Sequence, residues 1–183
     1  MRFCASLLSI AVFVLAGCGR EPFADYGFDI KSVSVNRAYQ SLNVSLQQEL
    51  VLSDQAREAL EHGVKLTVTL EMELRNDNNM IVVRRDASRY QLHYLPLSEH
   101  YQLSVEKTGE QRTFTRLRHL LAAINDLDIQ LPTGPLPSGS YELRTRVRLD
   151  ESRLPAPMQL PAWFSPQWNH DSEWSVWPFK ISV

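Results

Sequence analysis

The sequence predicts a mainly β protein: an immunoglobulin-like antiparallel β-sandwich with two short accessory helices. Three observations carry that expectation. Val64, Leu66, Val68, Leu70, Met72 and Leu74 alternate strictly with Lys65, Thr67, Thr69, Glu71 and Glu73, the pattern of a long strand buried on one face and wet on the other. Tyr141, Leu143, Thr145, Val147 and Leu149 alternate in the same way with Glu142, Arg144, Arg146 and Arg148. Around these two strands, turn-forming residues recur at short intervals, which suits a meander of short antiparallel strands. A closed barrel satisfies the same periodicity, and the pattern alone does not separate the two.

At the N-terminus, Arg2 precedes an apolar run from Phe3 to Leu15. The run is too short to span a bilayer and ends in small residues, so it reads as a secretory signal and not as a transmembrane helix. The stretch Leu15-Ala16-Gly17-Cys18 resembles the lipobox of bacterial lipoproteins, which implies cleavage between Gly17 and Cys18 and acylation of Cys18. Residues 1–17 are then a signal peptide, 18–27 a lipidated tether containing Pro22 and Gly27, and 28–183 a single domain. Each buried acyl methylene contributes about 0.8 kcal/mol, so two or more chains hold firmly to a membrane. The protein is expected in the cell envelope, facing the periplasm. Gly19, where enterobacterial sorting rules treat aspartate as a retention signal, favours the outer membrane by resemblance to those rules. Cys4 leaves with the signal and an acylated Cys18 has no free thiol, so packing and not an internal disulfide must hold the core. A net charge of −2 from 19 basic and 21 acidic residues argues against a nucleic-acid partner.

Phe28 to Val35 is rich in β-branched residues but alternates imperfectly, and Tyr39 to Leu46 places Leu42, Val44 and Leu46 on one face, giving two strands. Ser53 is a candidate N-cap for a short helix ending at His62-Gly63. Asn76 to Asn79 favours a turn, with Met80 to Arg84 folding back. Tyr90, Leu92 and Tyr94 form a further strand, and Lys107-Thr108-Gly109 links Tyr101–Val105 to Gln111–Phe114 as a hairpin. Leu117, Leu120, Leu121, Ile124 and Leu127 have the spacing of an amphipathic helix begun near Thr113 or Thr115. Proline-punctuated loops flank the Tyr141–Leu149 strand. All four tryptophans gather at Trp163, Trp168, Trp174 and Trp177, and a last strand is expected over about Glu173 to Val183.

This layout, with Tyr90-Gln91-Leu92-His93-Tyr94, the helix from Leu117, Tyr141-Glu142-Leu143, Leu149-Asp150, Leu154-Pro155-Ala156-Pro157 and the tryptophan-rich end, resembles the proteobacterial domain-of-unknown-function family numbered 4390. The resemblance covers nearly all of the mature chain. It implies an envelope protein without an assigned activity, in a family whose genes often neighbour sensor-kinase genes. It brings no catalytic residues with it.

Glu71 and Glu73 are two apart on one strand, a spacing near that of an inverting glycosidase pair. A solvated face paired across strands with Arg144, Arg146 and Arg148 explains them more simply. The same arginines, if unpaired and exposed, suit phosphate or carboxylate groups. His62, His93, His100, His119 and His170 show no metal-ligand spacing, and no cofactor is implied. Asn169-His170-Asp171-Ser172 holds triad residue types, but sequence neighbours do not point at one another as a triad requires. Most of the tryptophans are expected to close the core, with Trp163 and Trp168 the better candidates for an exposed ligand or partner surface. The expected function is therefore that of a non-catalytic envelope lipoprotein, held at the membrane through Cys18, with a periplasm-facing binding or adaptor domain whose ligand the sequence leaves open. The resemblance implies an envelope protein such as a sensor kinase as one partner. The alternatives are a cell-wall or polysaccharide binding module and, behind it, a hydrolase using Glu71, Glu73 and His93.

Overall fold

A computed structural model describes residues 26–182. The signal peptide, Gly17, the lipidation site Cys18 and nearly all of the tether lie outside the described residues. Two antiparallel sheets share one hydrophobic core, and neither closes into a barrel. The smaller has the order β1-β2-β7, from β1 (Gly27–Arg37), β2 (Ser41–Val51) and β7 (Asp126–Pro132). The larger has the order β6-β5-β4-β3-β8-β9. Its strands are β3 (Leu66–Asn76), β4 (Val82–Leu95), β5 (His100–Val105), β6 (Gln111–Phe114), β8 (Gly139–Leu149) and β9 (Ser175–Ile181).

The imperfect alternation of the first strand has a local cause. Ile30 pairs with Gln48 and Ser32 with Gln47, leaving Lys31 as an unpaired bulge. The extra residue resets the phase, so Phe28 and Ile30 before it and Val33 and Val35 after it all reach the core. Lys31 extends outward to Asp29 and Glu49 at 2.8 and 2.9 Å.

Helix α1 (Asp54–Glu61) starts as expected, with the Ser53 hydroxyl accepting the Ala56 N–H at 3.1 Å. At the next turn, Asn76 and Asn79 side chains accept the N–H groups of Asn78 and Ile81, the local bonding that makes asparagine a turn residue. After that turn, β4 starts at Val82 and runs unbroken from the Met80–Arg84 segment through Tyr90–Tyr94, which the sequence suggests as separate strands. Its charged first half lacks an apolar stripe yet pairs with β3 as far as Val82.

Among the described residues there are three α-helices, not two. Helix α2 (Leu117–Asn125) begins at Leu117, later than Thr113 or Thr115, because Thr113 is still paired in β6. Leu127 belongs to β7, a strand absent from the sequence expectation. Gln48, buried on the core side of β2, donates to the Ile124 carbonyl at 2.6 Å and so ties the last turn of α2 to the smaller sheet. The third helix, α3 (Ala156–Phe164), occupies a stretch whose prolines suggested a loop. Pro157 sits in the first turn, where a missing N–H costs nothing, and Pro161 removes one bond from a helix of nine residues.

The chain closes through a clasp near its C-terminus. Trp168, in a 3₁₀ turn (Pro166–Trp168) after α3, is buried, and Gln167 of that turn accepts the Ser53 hydroxyl at 2.6 Å. His170 accepts the Ser53 N–H through Nε2 at 2.9 Å, while its ring lies 5.3 Å from Tyr26 and 5.1 Å from Phe28. Burial pushes the His170 imidazole below its ordinary pKa, consistent with a neutral acceptor.

The two tryptophans offered as surface residues separate here: Trp163 is 62% exposed and Trp168 only 3%. Trp168→Ala should therefore destabilise the fold by about 3 to 5 kcal/mol, whereas Trp163→Ala should change stability by about 0.5 kcal/mol or less. Urea unfolding of the two variants, compared by midpoint at unchanged m-value, checks this.

Candidate functional site

The outer face of the larger sheet carries the charge. Antiparallel pairing of β3 with β8 sets Glu71 opposite Arg146 and Glu73 opposite Arg144, and β4 brings Arg85 opposite Glu73 from the other side. Glu73 is not wet, as alternation alone suggests, but 5% exposed. Its carboxylate accepts from Arg75 at 2.8 Å and from Arg85 at 2.9 Å, with Arg144 at 3.7 Å. Burial pushes its pKa up, but the hydrogen bonds from Arg85 and Arg75 outweigh that and hold it below the usual glutamate value.

The rest of the arginine row is also engaged. Arg146 makes a bidentate contact with Asp171, and Arg148 lies 3.7 Å from Glu71 and 3.8 Å from Asp150. The unpaired row that a phosphate site would need is thus replaced by a laced one. Asp171 and Trp174 come from the segment that enters β9. Its backbone runs beside β8 through Leu149 N–H to His170 carbonyl and Ser172 N–H to Val147 carbonyl. Trp174 folds over this face, with the Arg144 guanidinium 5.1 Å and that of Arg146 6.0 Å from its ring.

Together these side chains frame an open depression of about 550 Å³. Glu71, Glu73, Asp86, Arg75, Arg85 and Arg144 supply its polar groups, three carboxylates against three guanidinium groups, with Trp174 an aromatic wall and Ala87 a small residue on its floor. Arg85, with its side chain 75% exposed, is the guanidinium most open to an incoming group. The depression suits a planar or anionic group that stacks on Trp174 and takes the free N–H groups of Arg85. The signal available in sequence was the opposition of the two-residue Glu and Arg repeats. Trp174 and Arg85 could not be added to it without the register.

The remaining candidates are dispersed. Asn169-His170-Asp171-Ser172 does not form a triad: His170 is in the clasp, Asp171 on Arg146, and the Ser172 hydroxyl on the Val147 N–H and the Glu173 carbonyl. His93 pairs with Gln102 and His100 with Leu95 across β4 and β5. Among the described residues no group of three or more His, Cys, Asp or Glu side chains is placed to hold a metal. Trp163 is exposed on α3, as are Leu160 and Phe164, and none of the three lines the depression. No described helix is long and apolar enough to cross a membrane.

With this architecture in view, the class is that of an antiparallel β-sandwich whose one charged sheet face carries an open depression. Residues 25–178 match the family described as Domain of unknown function (DUF4390), and the chain belongs to that family. No curated protein and no solved structure matches it.

Glu73→Gln keeps the shape but leaves three guanidinium groups converging on a neutral amide. It should cost about 1 to 3 kcal/mol at pH 7. Because the folded pKa of Glu73 is depressed, its contribution is full above the unfolded value of about 4.3 and fades as pH falls through the folded value. The gap between wild type and variant, followed by thermal unfolding, should therefore be widest near neutrality and narrow below about pH 4.

Proposed function

We propose that the chain is a non-catalytic cell-envelope lipoprotein, anchored through Cys18 and facing the periplasm, that recognises an envelope protein through the Trp174 depression. The observation that supports recognition over hydrolysis is the state of the carboxylates. Glu73 is held ionised by arginines on both sides, and Glu71 is ion-paired with Arg148. A general acid needs a raised pKa near the working pH, and this cluster pushes Glu73 the other way. An open face with an aromatic wall and one solvent-facing guanidinium suits a partner's acidic or planar side chain. The Leu15-Ala16-Gly17-Cys18 stretch supports the anchor, and Gly19 favours the outer membrane. The family's gene context makes a sensor kinase the first partner to test.

A second reading, a cell-wall saccharide module, draws on the same depression, since Trp174 offers a stacking face beside hydrogen-bond donors.

Crosslinking in intact cells separates the two. Wild type should capture a defined envelope protein, Cys18→Ala should lose most of the capture, and Arg85→Glu should lose it with the anchor intact. Capture unchanged by Arg85→Glu would remove the depression from the account. If no protein is captured by any form while peptidoglycan fragments co-purify with wild type and Cys18→Ala alike, the saccharide reading replaces the adaptor.

A further inference from the structure

We propose that α3 is a membrane-seating element, whose exposed face inserts into the interface of the bilayer that holds the Cys18 acyl chains. The proposal rests on the lipoprotein reading for its setting and on three observations for its content.

The first is the face itself. Leu160, Trp163 and Phe164 occupy i, i+3 and i+4 positions on the side of α3 away from the core, and are 63, 62 and 85% exposed. Met158 and Ala162 pack inward, and the Gln159 amide donates to the Ser152 and Leu154 carbonyls at 2.9 Å, which fixes the roll of the helix. The helix is therefore held with its apolar side outward. It carries no charged residue along its length. Tryptophan and phenylalanine beside leucine on one helical face are the residue types that settle at the boundary of headgroups and acyl chains.

The second is where the chain enters the domain. Tyr26, the first described residue, packs with its ring tilted against that of His170, which follows α3 by one 3₁₀ turn. Ser165, at the end of α3, donates to Gln55 of α1 at 3.1 Å. The start of β1, the end of β2, α1 and α3 thus share one end of the sandwich. The turn between β4 and β5, with the fully exposed Leu97, lies at that end too, because Leu92 pairs with Leu66 at the start of β3.

The third is length. Cys18 and Tyr26 are eight residues apart, so a fully extended tether reaches at most about 29 Å. A domain of this size is about 40 Å across. The tether is shorter than the domain, so an anchored Cys18 excludes the inverted pose and keeps the end bearing α3 within about 29 Å of the bilayer. Other occupants of the face, a protein partner or the tether itself, are outcomes of the test.

The full-length mature chain, purified from membranes, is reconstituted into phosphatidylethanolamine/phosphatidylcholine vesicles with and without brominated phosphatidylcholine. Mass spectrometry of Cys18 reports acylation separately. The expected result is quenching of tryptophan emission by brominated lipid that disappears in Trp163→Phe and persists in 0.5 M salt on the order of a few ångströms of screening. The double variant Leu160→Asp/Phe164→Asp should stay vesicle-bound through its acyl chains yet lose the quenching. Ile81→Asp, an exposed position in the turn at the opposite end of β3, should behave as wild type. For the unacylated full chain carrying Cys18→Ser, the double variant should lower vesicle partitioning at least about tenfold.

An acylated chain whose emission is the same in both vesicle types overturns the proposal and leaves the anchor standing, as does quenching that survives Trp163→Phe. Cys18 found unacylated overturns the lipoprotein reading instead, and the partitioning of the Cys18→Ser chain then decides α3 by itself. Protection of Trp163 by residues 19–25 or by a protein, seen by crosslinking with no lipid quenching, also overturns it.

Discussion

Strand β3 is buried on both faces, and much of the molecule answers to that constraint. Inward it supplies Leu66, Val68, Leu70, Met72 and Leu74 to the core. Outward it places Thr67, Thr69 and Glu73 where little water reaches, and an ionised carboxylate there must be matched by cations. Arg75 on the same strand, Arg85 on β4 and Arg144 on β8 supply them. The match also selects register. Sliding β8 by two residues along β3 keeps every side chain on its proper face, so the hydrophobic pattern does not forbid it. It would, however, set Glu73 opposite Glu142 in one direction or Arg75 opposite Arg144 in the other, and like charges directly opposed are unfavourable. The charged face thus does for β3 and β8 what an alternating stripe cannot.

The second dependence is the closing of the chain on itself. The described residues include no cysteine, and the start of the described chain meets the segment before β9 through a neutral histidine. Ser53 donates its N–H to His170, its hydroxyl caps α1 and also donates to the Gln167 carbonyl, and Tyr26 and Phe28 pack on the imidazole. One residue pair separated by 117 positions therefore couples the first strand, the first helix and the segment that leads into β9. Protonating His170 would take away the acceptor that Ser53 uses. The depressed pKa means this cost appears as pH falls below the ordinary histidine value near 6.5 and is absent above it.

What could be read from sequence follows the range of the forces involved. The strict two-residue alternation of β3 and β8, the Ser53 cap, the Gly109 turn and the apolar stripe of α2 are local, and each element formed there, although α2 is shorter at both ends than its stripe suggests because β6 and β7 claim the flanking residues. The failures were non-local. The Lys31 bulge is visible only against β2, the first half of β4 is a strand because β3 needs a partner there, and β7 exists because α2 hands the chain back to β2. Glu73 and Trp168 were misread for the same reason: their burial comes from segments far away in the chain. Helix α3 failed differently, since its prolines fall where a short helix tolerates them. Of the candidate site, the opposed Glu and Arg repeats were legible, while Trp174, Arg85 and the space over Ala87 depended on the register.

The two surfaces differ in what they can recognise and in where they stand. The face of α3 is apolar and uncharged, and suits a partner with no directional bonding. The Trp174 depression offers fixed guanidinium groups, and suits one with a defined shape and charge. Strands of the larger sheet run away from the end that carries α3, and Glu73 lies seven residues along β3 from Leu66, about 23 Å at the usual rise. An anchor at Cys18 with α3 seated in the interface would stand β3 away from the bilayer and lift the depression clear of the headgroups. It would then face sideways, at the height of a membrane protein's extracytoplasmic domain. The same seating would restrict rotation of the domain about its tether, and a pre-oriented face loses less freedom on binding than a tumbling one.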